Sequence, residues 1–447
     1  MSGYMHKYVI FKMYNESGHL FPAFHLAKQL QATGEFLAVF VSEQKFKGLI
    51  EEQGFVFETE MHYDNISAHR SYIGAKSRAP LVTRIPHLLN ARKSITQDFI
   101  DFTAKIIEKY QPVLLLVDEL HFNYVVAMHD QGVPIVTLST YALSLESPYV
   151  PPPNASQTPR RSRSFRILNF FLWRRVYLER FIQQLSLQIN NPGADFYYKL
   201  LCQYKNYKRK HRNNKKFYWI DDTTVDKLVL VPEFLDFEHP KKNGIFYIND
   251  CVDINRVEKP FDWSLFDSRP IIYSSLGTQT LRDIDKATRI YKKIISAFTR
   301  KTQYNLIIST PEAIKHQLAS IDLPQHISLA TNAPQLTILK RSSLAIIHGG
   351  MGSIKECLRF AVPMLILPLN KDVDQLGNAT RVCVNNYGLQ MNTDDLNAKD
   401  LSDNVDHILS SPLYSENVKS AQKNIEDHEL EKPFLLYAKN KIAKSVN

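Results

Sequence analysis

Cysteine is scarce in this sequence, and its spacing excludes several kinds of site. The 447 residues include only four cysteines, Cys202, Cys251, Cys357 and Cys383. No two of them form a CxxC pair or a tight cluster, so neither a disulfide framework nor a zinc site is expected. This cysteine usage is typical of a reducing compartment.

Long hydrophobic runs are also missing. No stretch of about 18 apolar residues occurs, so the sequence predicts no membrane-spanning helix. The amino-terminal segment MSGYMHKYVIFKMYN lacks the apolar core and small-residue cleavage site of a signal peptide. We therefore expect a cytoplasmic protein. Glycine is sparse, with 15 residues, so a glycine cluster in a turn is informative.

Acidic residues do not balance the basic ones. The formal net charge is +10, and much of the excess lies in two stretches of the chain. Their basic residues are Arg160, Arg161, Arg163, Arg166, Arg174, Arg175, Lys205, Lys208, Arg209, Lys210, Arg212, Lys215 and Lys216. Such stretches attract nucleic acid, anionic lipid or phosphate, and a solvated surface is the alternative. Because no recognisable nucleic-acid-binding module accompanies them, no nucleic-acid partner is predicted.

Strand-like apolar runs alternate with helix-like segments in both halves of the chain. The first series begins with a strand at Tyr8–Tyr14, a helix at Phe21–Thr33 and a strand at Phe36–Val41. A second series begins with a strand at Ile271–Leu276, after a proline-containing crossing at Leu228–Pro270. This alternation predicts an α/β fold with parallel sheets.

The length of 447 residues predicts two domains of roughly 200 residues each. We assign residues 1–246 to an N-terminal domain, with an inserted basic and aromatic segment at 150–220. Residues 247–428 are assigned to a C-terminal domain. Residues 429–447 are predicted to form a helix that returns to the N-terminal domain.

The strongest functional signal is the segment HGGMGSIKECLRFAVPMLILPLNKDVDQLGNATRV at 348–382. A predicted strand ends where this segment begins, and a helix follows. The residues at the turn are His348, Gly349, Gly350, Gly352 and Ser353. Glycines there let backbone N–H groups approach an anion, and the positive helix end stabilises phosphate. The carboxylate of Glu356 can accept hydrogen bonds from ribose hydroxyls. The pattern indicates a nucleoside diphosphate; a plain strand–turn–helix is the alternative.

A second loop of this kind lies at 274–278, directly after the predicted strand at Ile271–Leu276. A strand that ends in glycine and hydroxyl residues can form a phosphate or sugar loop. The candidate residues are Ser275, Gly277 and Thr278. A simple turn is the alternative, but the position of the loop before the 348–382 segment favours a common site.

The 348–382 segment resembles the donor-binding signature of UDP-dependent glycosyltransferases with the GT-B fold, the family of plant secondary-product and bacterial antibiotic or carotenoid glucosyltransferases. The motifs that carry the resemblance are Ala333-Pro334-Gln335, His348-Gly349-Gly350, Ser353, Glu356, Val362-Pro363, Asp374-Gln375 and Asn378. The resemblance implies two Rossmann-like domains that face each other across a cleft, with the nucleotide sugar bound by the C-terminal domain.

The resemblance also implies roles for the matched residues. From base to sugar they are Ala333 and Gln335 at the uracil, His348, Gly350 and Ser353 at the phosphates, Glu356 at the ribose, and Asp374 and Gln375 at the sugar hydroxyls. Two positions depart from the plant pattern: Asn332 replaces a base-stacking Trp, and Gly352 replaces an Asn. The departures are similar to the bacterial branch and keep dTDP as an alternative to UDP. Gln375 resembles a glucose-type donor site.

The N-terminal half contributes a candidate base, His19, at a predicted turn between a strand and a helix. A helix amino end disfavours the imidazolium and keeps the ring neutral, which suits removal of a proton from an acceptor hydroxyl. In the family the matching His is oriented by an Asp at a strand end, a place that Asp118 occupies. The resemblance therefore implies a His19–Asp118 dyad. His25 and His121 are alternatives, and a capping or surface role for His19 is another.

Two D-x-D pairs raise the question of a metal ion. Asp283 and Asp285 lie at a predicted helix start, where the dipole favours acids. Asp374, which pairs with Asp372, already has a role in the signature. In the family a helix end replaces the metal, so the resemblance implies no metal and no cofactor beside the UDP-sugar substrate.

The implied activity is inverting, metal-independent transfer of a hexose, with glucose first, from a UDP-sugar to a hydroxyl of a small or lipophilic acceptor. A sugar-nucleotide epimerase or hydrolase on the same fold and a non-catalytic nucleotide-sugar-binding protein are the alternatives. The aromatic run at 165–177 is interpreted as a lid, as a peripheral contact with an anionic membrane surface, or as a helix packed on the first domain.

Overall fold

The computed structural model describes residues 6–61, 81–190, 201–207, 212–213, 221–222, 224–331 and 333–446. Asn332 and five residues of the second basic stretch lie outside these ranges. The five are Lys208, Arg209, Lys210, Lys215 and Lys216. Within the described ranges no helix is long and apolar enough to cross a membrane. The cytoplasmic location stays a prediction.

The first sheet contains seven parallel strands in the order β3-β2-β1-β4-β5-β8-β9. They are β1 (Lys7–Lys12), β2 (Phe36–Ser42), β3 (Val56–Thr59), β4 (Leu114–Asp118), β5 (Ile135–Ser139), β8 (Asp226–Val229) and β9 (Ile245–Tyr247). A separate antiparallel pair consists of β6 (Arg212–Asn213) and β7 (Asp221–Asp222). Strands β4 and β5 are buried along their whole length, as expected for central strands of a parallel sheet covered on both faces.

The second sheet contains six parallel strands in the order β12-β11-β10-β13-β14-β15. They are β10 (Ile271–Ser275), β11 (Asn305–Thr310), β12 (Ile327–Thr331), β13 (Ser342–Ile347), β14 (Met364–Ile366) and β15 (Gly388–Gln390). Two parallel sheets confirm the predicted α/β class. The first domain is predicted to end at residue 246. Strand β9, which pairs with β8 in the first sheet, ends one residue later, at Tyr247.

Helices cover the sheets. Those of the first domain are α1 (Ser17–Gln31), α2 (Lys47–Glu52), α3 (Leu81–Tyr110), α4 (Phe122–Met128) and α5 (Arg163–Asn190). Those that follow are α6 (Ile284–Phe298), α7 (Glu312–Leu318), α8 (Gln335–Leu339), α9 (Met351–Arg359), α10 (Gln375–Val384), α11 (Ala398–Ser410), α12 (Pro412–Glu431) and α13 (Pro433–Val446). Helix α1 starts four residues earlier than predicted, so His19 lies in its first turn.

The carboxy-terminal helix returns to the first domain, as predicted. Phe434, Ala438 and Ile442 of α13 are buried in the core of the first sheet. The helix predicted for 429–447 is nevertheless broken, because Lys432 adopts a left-handed conformation with φ of 47° and ends α12. Pro433 then begins α13, and proline suits the first position of a helix.

The two domains are joined by buried contacts beside the chain crossing. Arg381 of α10 donates from Nε and Nη2 to Asp236 Oδ1, at 3.0 and 2.8 Å, and both side chains are nearly inaccessible, at 2% and 1%. The backbone N–H of Gly377, also in α10, donates to Pro153 O at 2.9 Å. Asp236 and Pro153 belong to the first domain, so α10 is held against it.

Replacing Asp236 with Asn should lower the free energy of unfolding by about 3–5 kcal/mol, because Arg381 is left buried without a charged partner. Guanidinium unfolding measures the change. Glu179→Gln is the matched control, since it breaks an exposed pair with Arg175 (2.7 Å) and should change stability by less than about 1 kcal/mol. Equal effects of the two variants would contradict the anchoring role of the buried pair.

Candidate functional site

A buried histidine–carboxylate pair lies at the carboxyl edge of the first sheet. His19 Nδ1 is 2.7 Å from Asp118 Oδ2, and Asp118 Oδ1 accepts a hydrogen bond from the Leu120 N–H at 2.9 Å. Asp118 ends β4, and α1 follows β1. Because β1 and β4 are parallel neighbours, their carboxyl ends meet at one edge and bring His19 to Asp118.

The other ring nitrogen of His19 has a partner that the sequence analysis missed. Tyr141 OH is 2.9 Å from His19 Nε2, and Thr140 Oγ1 is 3.1 Å from Nδ1. With the Nδ1 proton donated to Asp118, Nε2 carries the lone pair and the phenol donates to it. Burial raises the pKa of Tyr141, and the carboxylates of Asp118 and Asp374 raise it further, so the phenol keeps its proton.

The expected effect of the helix start on His19 does not decide its charge. Burial is the largest single effect and lowers the pKa of His19, but the charge and hydrogen bond of Asp118, with the charges of Glu16 and Glu119, together raise the net pKa above its ordinary value. The prediction of a ring kept neutral by the start of α1 is therefore wrong in direction. A carboxylate at hydrogen-bond distance interacts more strongly with the imidazolium than the dipole of a helix end does.

The two alternative histidines differ in position. His25 Nε2 is 2.6 Å from Asp250 Oδ2, in contact with the crossing between the domains. The His121 ring lies near the site, since its centroid is 5.8 Å from that of Tyr14, which is itself 5.2 Å from the His19 ring. His121 Nε2 is buried without a hydrogen-bond partner among the described residues.

In the second domain, β13 ends at a glycine turn that leads into α9. Gly349 has a φ of 87°, a conformation that favours glycine. The first bond inside the helix runs from the Ile354 N–H to Gly350 O, at 3.1 Å. The N–H groups that precede it at the start of α9 have no intrahelical acceptor, so together with the positive helix end they are suited to an anion.

The His348 ring lies between two glycines from different loops. A Cβ atom on Gly350 would come within 2.5 Å of His348 Nε2, and one on Gly277 within 2.4 Å of the ring carbon Cε1. Gly277 has a φ of 70° and connects Ser275, the last residue of β10, to a short 3-10 turn that begins at Thr278. The two loops predicted from sequence therefore meet at this ring.

Burial lowers the pKa of His348 to about 4, although a backbone hydrogen bond at Ser275 raises it slightly. The imidazole is therefore neutral near pH 7 and has one N–H to donate. Its Nδ1 is buried and has no hydrogen-bond partner among the described residues. In the tautomer that carries its proton on Nδ1, the ring can donate this N–H to a phosphate oxygen beside the start of α9.

The predicted base and ribose residues are linked within the protein. Gln335 accepts a hydrogen bond from Tyr273 OH at 3.0 Å and donates from Nε2 to Ser353 Oγ at 3.3 Å and to Glu356 Oε2. The other oxygen of Glu356 accepts from Arg256 Nη1 at 2.8 Å. Arg256, which sequence analysis missed, lies in the irregular crossing between the domains.

Ala333, two residues before Gln335 in sequence, borders this network. Its backbone N–H donates to Ser309 Oγ at 3.2 Å. Gly352, by contrast, lies in the first turn of α9, and a Cβ atom there would meet nothing within 4 Å. The structure therefore gives a steric reason for glycine at Gly277 and Gly350 and none at Gly352.

The two predicted sugar-binding residues, Gln375 and Asp374, both form hydrogen bonds within the protein, through different atoms. Gln375 Oε1 accepts hydrogen bonds from the N–H groups of Leu369 and Asn370, each at 2.8 Å, so a bond to a sugar hydroxyl would come from Nε2. Asp374 Oδ2 accepts from Asn378 Nδ2 at 2.9 Å. Burial raises the pKa of Asp374, whereas the Asn378 bond and the charges of Arg381 and His19 lower it.

The two halves of the site face each other. Asp374 of the second domain is close enough to act electrostatically on both His19 and Tyr141 of the first. No group of three or more potential metal ligands occurs among the described residues. Asp283 instead accepts the Lys286 N–H at 2.9 Å and caps α6. The arrangement thus brings together a buried histidine–carboxylate pair, a helix start suited to an anion and polar side chains of the opposite domain.

Comparison with known proteins agrees with this geometry. Residues 285–432 match the family model described as glycosyltransferase family 28 C-terminal domain. The chain is similar to the uncharacterized UDP-glucosyltransferase YdhE of Bacillus subtilis (strain 168), with 28% identity over 157 residues, 35% of this chain and 38% of that protein. Solved structures show that the similarity of fold extends over both domains. The glycotransferase of kitacinnamycin has a TM-score of 0.67 and 17% identity, covering 98% of this chain and 99% of that one.

Glycosyltransferase VinC, solved in complex with dTDP, has a TM-score of 0.63 and 17% identity, covering 97% of this chain and 100% of that one. The resemblance to GT-B glycosyltransferases is confirmed. In this GT-B fold the matched family domain includes α9 and α10 and contains ten of the thirteen predicted donor residues. The sequence match spans about 38% of the length of YdhE, and the first half of the GT-B chain is matched through its fold.

Replacing Gly277 with Ala should lower the free energy of unfolding by about 1–3 kcal/mol, because its backbone conformation is restricted to glycine and the His348 ring occupies the space of a Cβ atom. Gly352→Ala is the control. It lies in a helix with open space around it, so it should be neutral or stabilising by up to about 1 kcal/mol. Thermal or denaturant unfolding compares the two, and equal losses would refute the steric argument.

Tyr141→Phe should raise the pKa of His19 further, because the phenol donates to the unprotonated Nε2 and so favours the neutral ring. Histidine-labelled protein followed by NMR over a pH titration measures this. Tyr149→Phe, in the same loop but exposed, is the control and should leave the His19 signal unchanged. An unaltered or lowered pKa in Tyr141→Phe would show that the phenol does not act on Nε2.

Proposed function

We propose that this protein is an inverting glycosyltransferase that moves a hexose from UDP to a hydroxyl group of an acceptor, without a metal ion. The observation that carries the proposal is the His19–Asp118 pair, 2.7 Å apart, which faces Asp374 of the opposite domain. A base on one side and a phosphate-suited helix start on the other are what a single displacement at a sugar carbon needs.

In the proposed reaction, His19 Nε2 takes the proton of the acceptor hydroxyl while Asp118 stabilises the imidazolium. The acceptor oxygen forms a bond to the anomeric carbon, and the bond from that carbon to the diphosphate oxygen breaks. UDP leaves with the electron pair, and its charge is stabilised by the start of α9. One displacement inverts the anomeric centre. The Tyr141 hydroxyl must first move away from His19 Nε2, because it occupies the position that the acceptor hydroxyl would take.

The donor is proposed from the residues and from the named relatives together. YdhE is named a UDP-glucosyltransferase, whereas VinC was solved with dTDP. We favour UDP and test dTDP beside it. Glucose is proposed from Gln375 and from the name of YdhE. Because Gln375 Oε1 is bound to backbone, other hexoses belong in the same test.

The acceptor is proposed to be small or lipophilic. Aromatic rings surround the base: the Tyr14 and Tyr141 centroids each lie 5.2 Å from that of His19, and His121 follows at 5.8 Å from Tyr14. Such walls favour an apolar acceptor body that presents a hydroxyl. The unpartnered Nε2 of His121 can bond a second polar group of the acceptor.

A panel of UDP- and dTDP-sugars with hydroxylated acceptors, read by mass spectrometry, tests the activity. His19→Ala should lower turnover roughly 10²-fold or more, while UDP binding measured by calorimetry persists. His316→Ala, at an exposed position of the second domain, is the control. Near-full turnover in His19→Ala would refute the assigned base. Free sugar or a new epimer formed without acceptor would favour the hydrolase or epimerase, and UDP binding without any product would favour a binding protein.

A further inference from the structure

Helix α5 has one face that is fixed to the first domain. Phe165, Trp173 and Val176 are buried. Asn169 Nδ2 donates to Ser147 O at 2.7 Å and to Val150 O at 3.1 Å. Trp173 Nε1 donates to Val150 O at 3.0 Å. The helix therefore has a defined orientation, and the exposed side chains described between residues 166 and 182 point away from this packed face.

The outer face of α5 is unusually apolar. Seven of the nineteen large hydrophobic side chains exposed in the described part of the chain lie on this helix, with exposures from 46% to 63%. They are Ile167, Leu168, Phe170, Phe171, Leu178, Phe181 and Ile182. The spacing of Ile167, Phe171, Leu178 and Ile182 places them on one stripe of the helix. An exposed patch of this kind marks a surface of interaction.

The charged side chains around this stripe are nearly all positive. Between residues 160 and 182 the chain carries Arg160, Arg161, Arg163, Arg166, Arg174, Arg175 and Arg180, against Glu179 as the acid. Three exposed members, Arg160, Arg163 and Arg166, form no ion pair with any described residue. Arg174 bends back to Glu146 and lies on the Phe170 and Tyr177 rings, 4.9 and 4.8 Å from their centroids.

We propose that the outer face of α5 docks on an anionic lipid surface. Apolar and aromatic side chains enter the boundary between headgroups and acyl chains, and the arginines contact the headgroup phosphates through long side chains. A symmetric contact with a second copy would place this arginine-rich face against itself. Repulsion between the arginines disfavours binding of a second copy, whereas an anionic lipid surface complements their positive charge.

The docked helix also bears on the proposed acceptor. Ser147 and Val150, which accept its hydrogen bonds, follow Tyr141 by six and nine residues in one loop, and Tyr141 contacts His19. The surface contact and the wall of the acceptor site are thus parts of the same segment. Docking through α5 would bring the acceptor side of the cleft near a bilayer, where a lipophilic acceptor resides.

Sedimentation of the full chain with vesicles tests the proposal. Vesicles of phosphatidylcholine with phosphatidylglycerol should bind the protein at low salt, and binding should fall at high salt and with phosphatidylcholine alone. The double variants Ile167→Ser/Phe171→Ser and Arg163→Gln/Arg166→Gln should each lower the partition coefficient by about tenfold or more. No binding of the unaltered chain to anionic vesicles would overturn the proposal.

Matched controls remove the same groups elsewhere. Leu430→Ser/Leu436→Ser alters side chains that are 81% and 62% exposed, and Lys419→Gln/Lys423→Gln removes two exposed charges of α12. Neither control should change binding, and losses equal to those of the α5 variants would contradict a defined docking face. Light scattering of the free protein tests whether a second copy of the chain binds this face instead. A dimer that dissociates in Ile167→Ser/Phe171→Ser would make α5 a self-association surface and contradict the proposal. These measurements use neither donor nor acceptor, so their outcome is independent of transfer activity.

Discussion

The site depends on how α10 is held against the first domain. Arg381 reaches Asp236 across the boundary, and the Gly377 N–H donates to Pro153 O. Asp374 and Gln375, which begin this helix or precede it, are therefore fixed relative to His19. A Cβ atom on Gly377 would come within 2.4 Å of Pro153 O, so the approach itself requires glycine. Two domains that fold separately would not hold Asp374 opposite His19 without such contacts, because an interface of modest size permits relative motion.

The pKa of His19 is set by effects that act in opposite directions. Burial and the start of α1 both disfavour the imidazolium. The charge and hydrogen bond of Asp118 favour it, the charges of Glu16 and Glu119 add to them, and together they raise the pKa of His19. Tyr141 acts in the opposite sense by donating to Nε2.

Much of this site follows from regular structure, and that part is predictable from sequence. His19, Asp118 and the turn at 348–353 all lie at carboxyl ends of strands, where parallel strands gather functional groups at one edge. Tyr141 follows β5 by two residues, so its position at that edge could have been inferred from the pairing of β4 with β5. Its contact with Nε2 could not, because it depends on the path of an irregular loop. Arg256 gives no sequence signal, since no periodicity fixes the backbone of the crossing. The direction of the His19 pKa shift was missed because it depends on a distance of 2.7 Å, which sequence does not contain.

Arg256 connects Glu356, the proposed ribose contact, to the helix that carries His19, the proposed base. Its guanidinium bonds Glu356 and Glu258, at 2.8 and 2.7 Å, and lies 4.3 Å from the centre of the Phe21 ring in α1. Each carboxylate oxygen can accept two hydrogen bonds, so ribose hydroxyls can add to Glu356 while Arg256 stays in place. The guanidinium then orients the carboxylate and compensates its burial, which is costly for an unpaired charge. Because Phe21 lies two residues beyond His19 on the same helix, a displacement of Arg256 would disturb the ribose contact and the position of the base together.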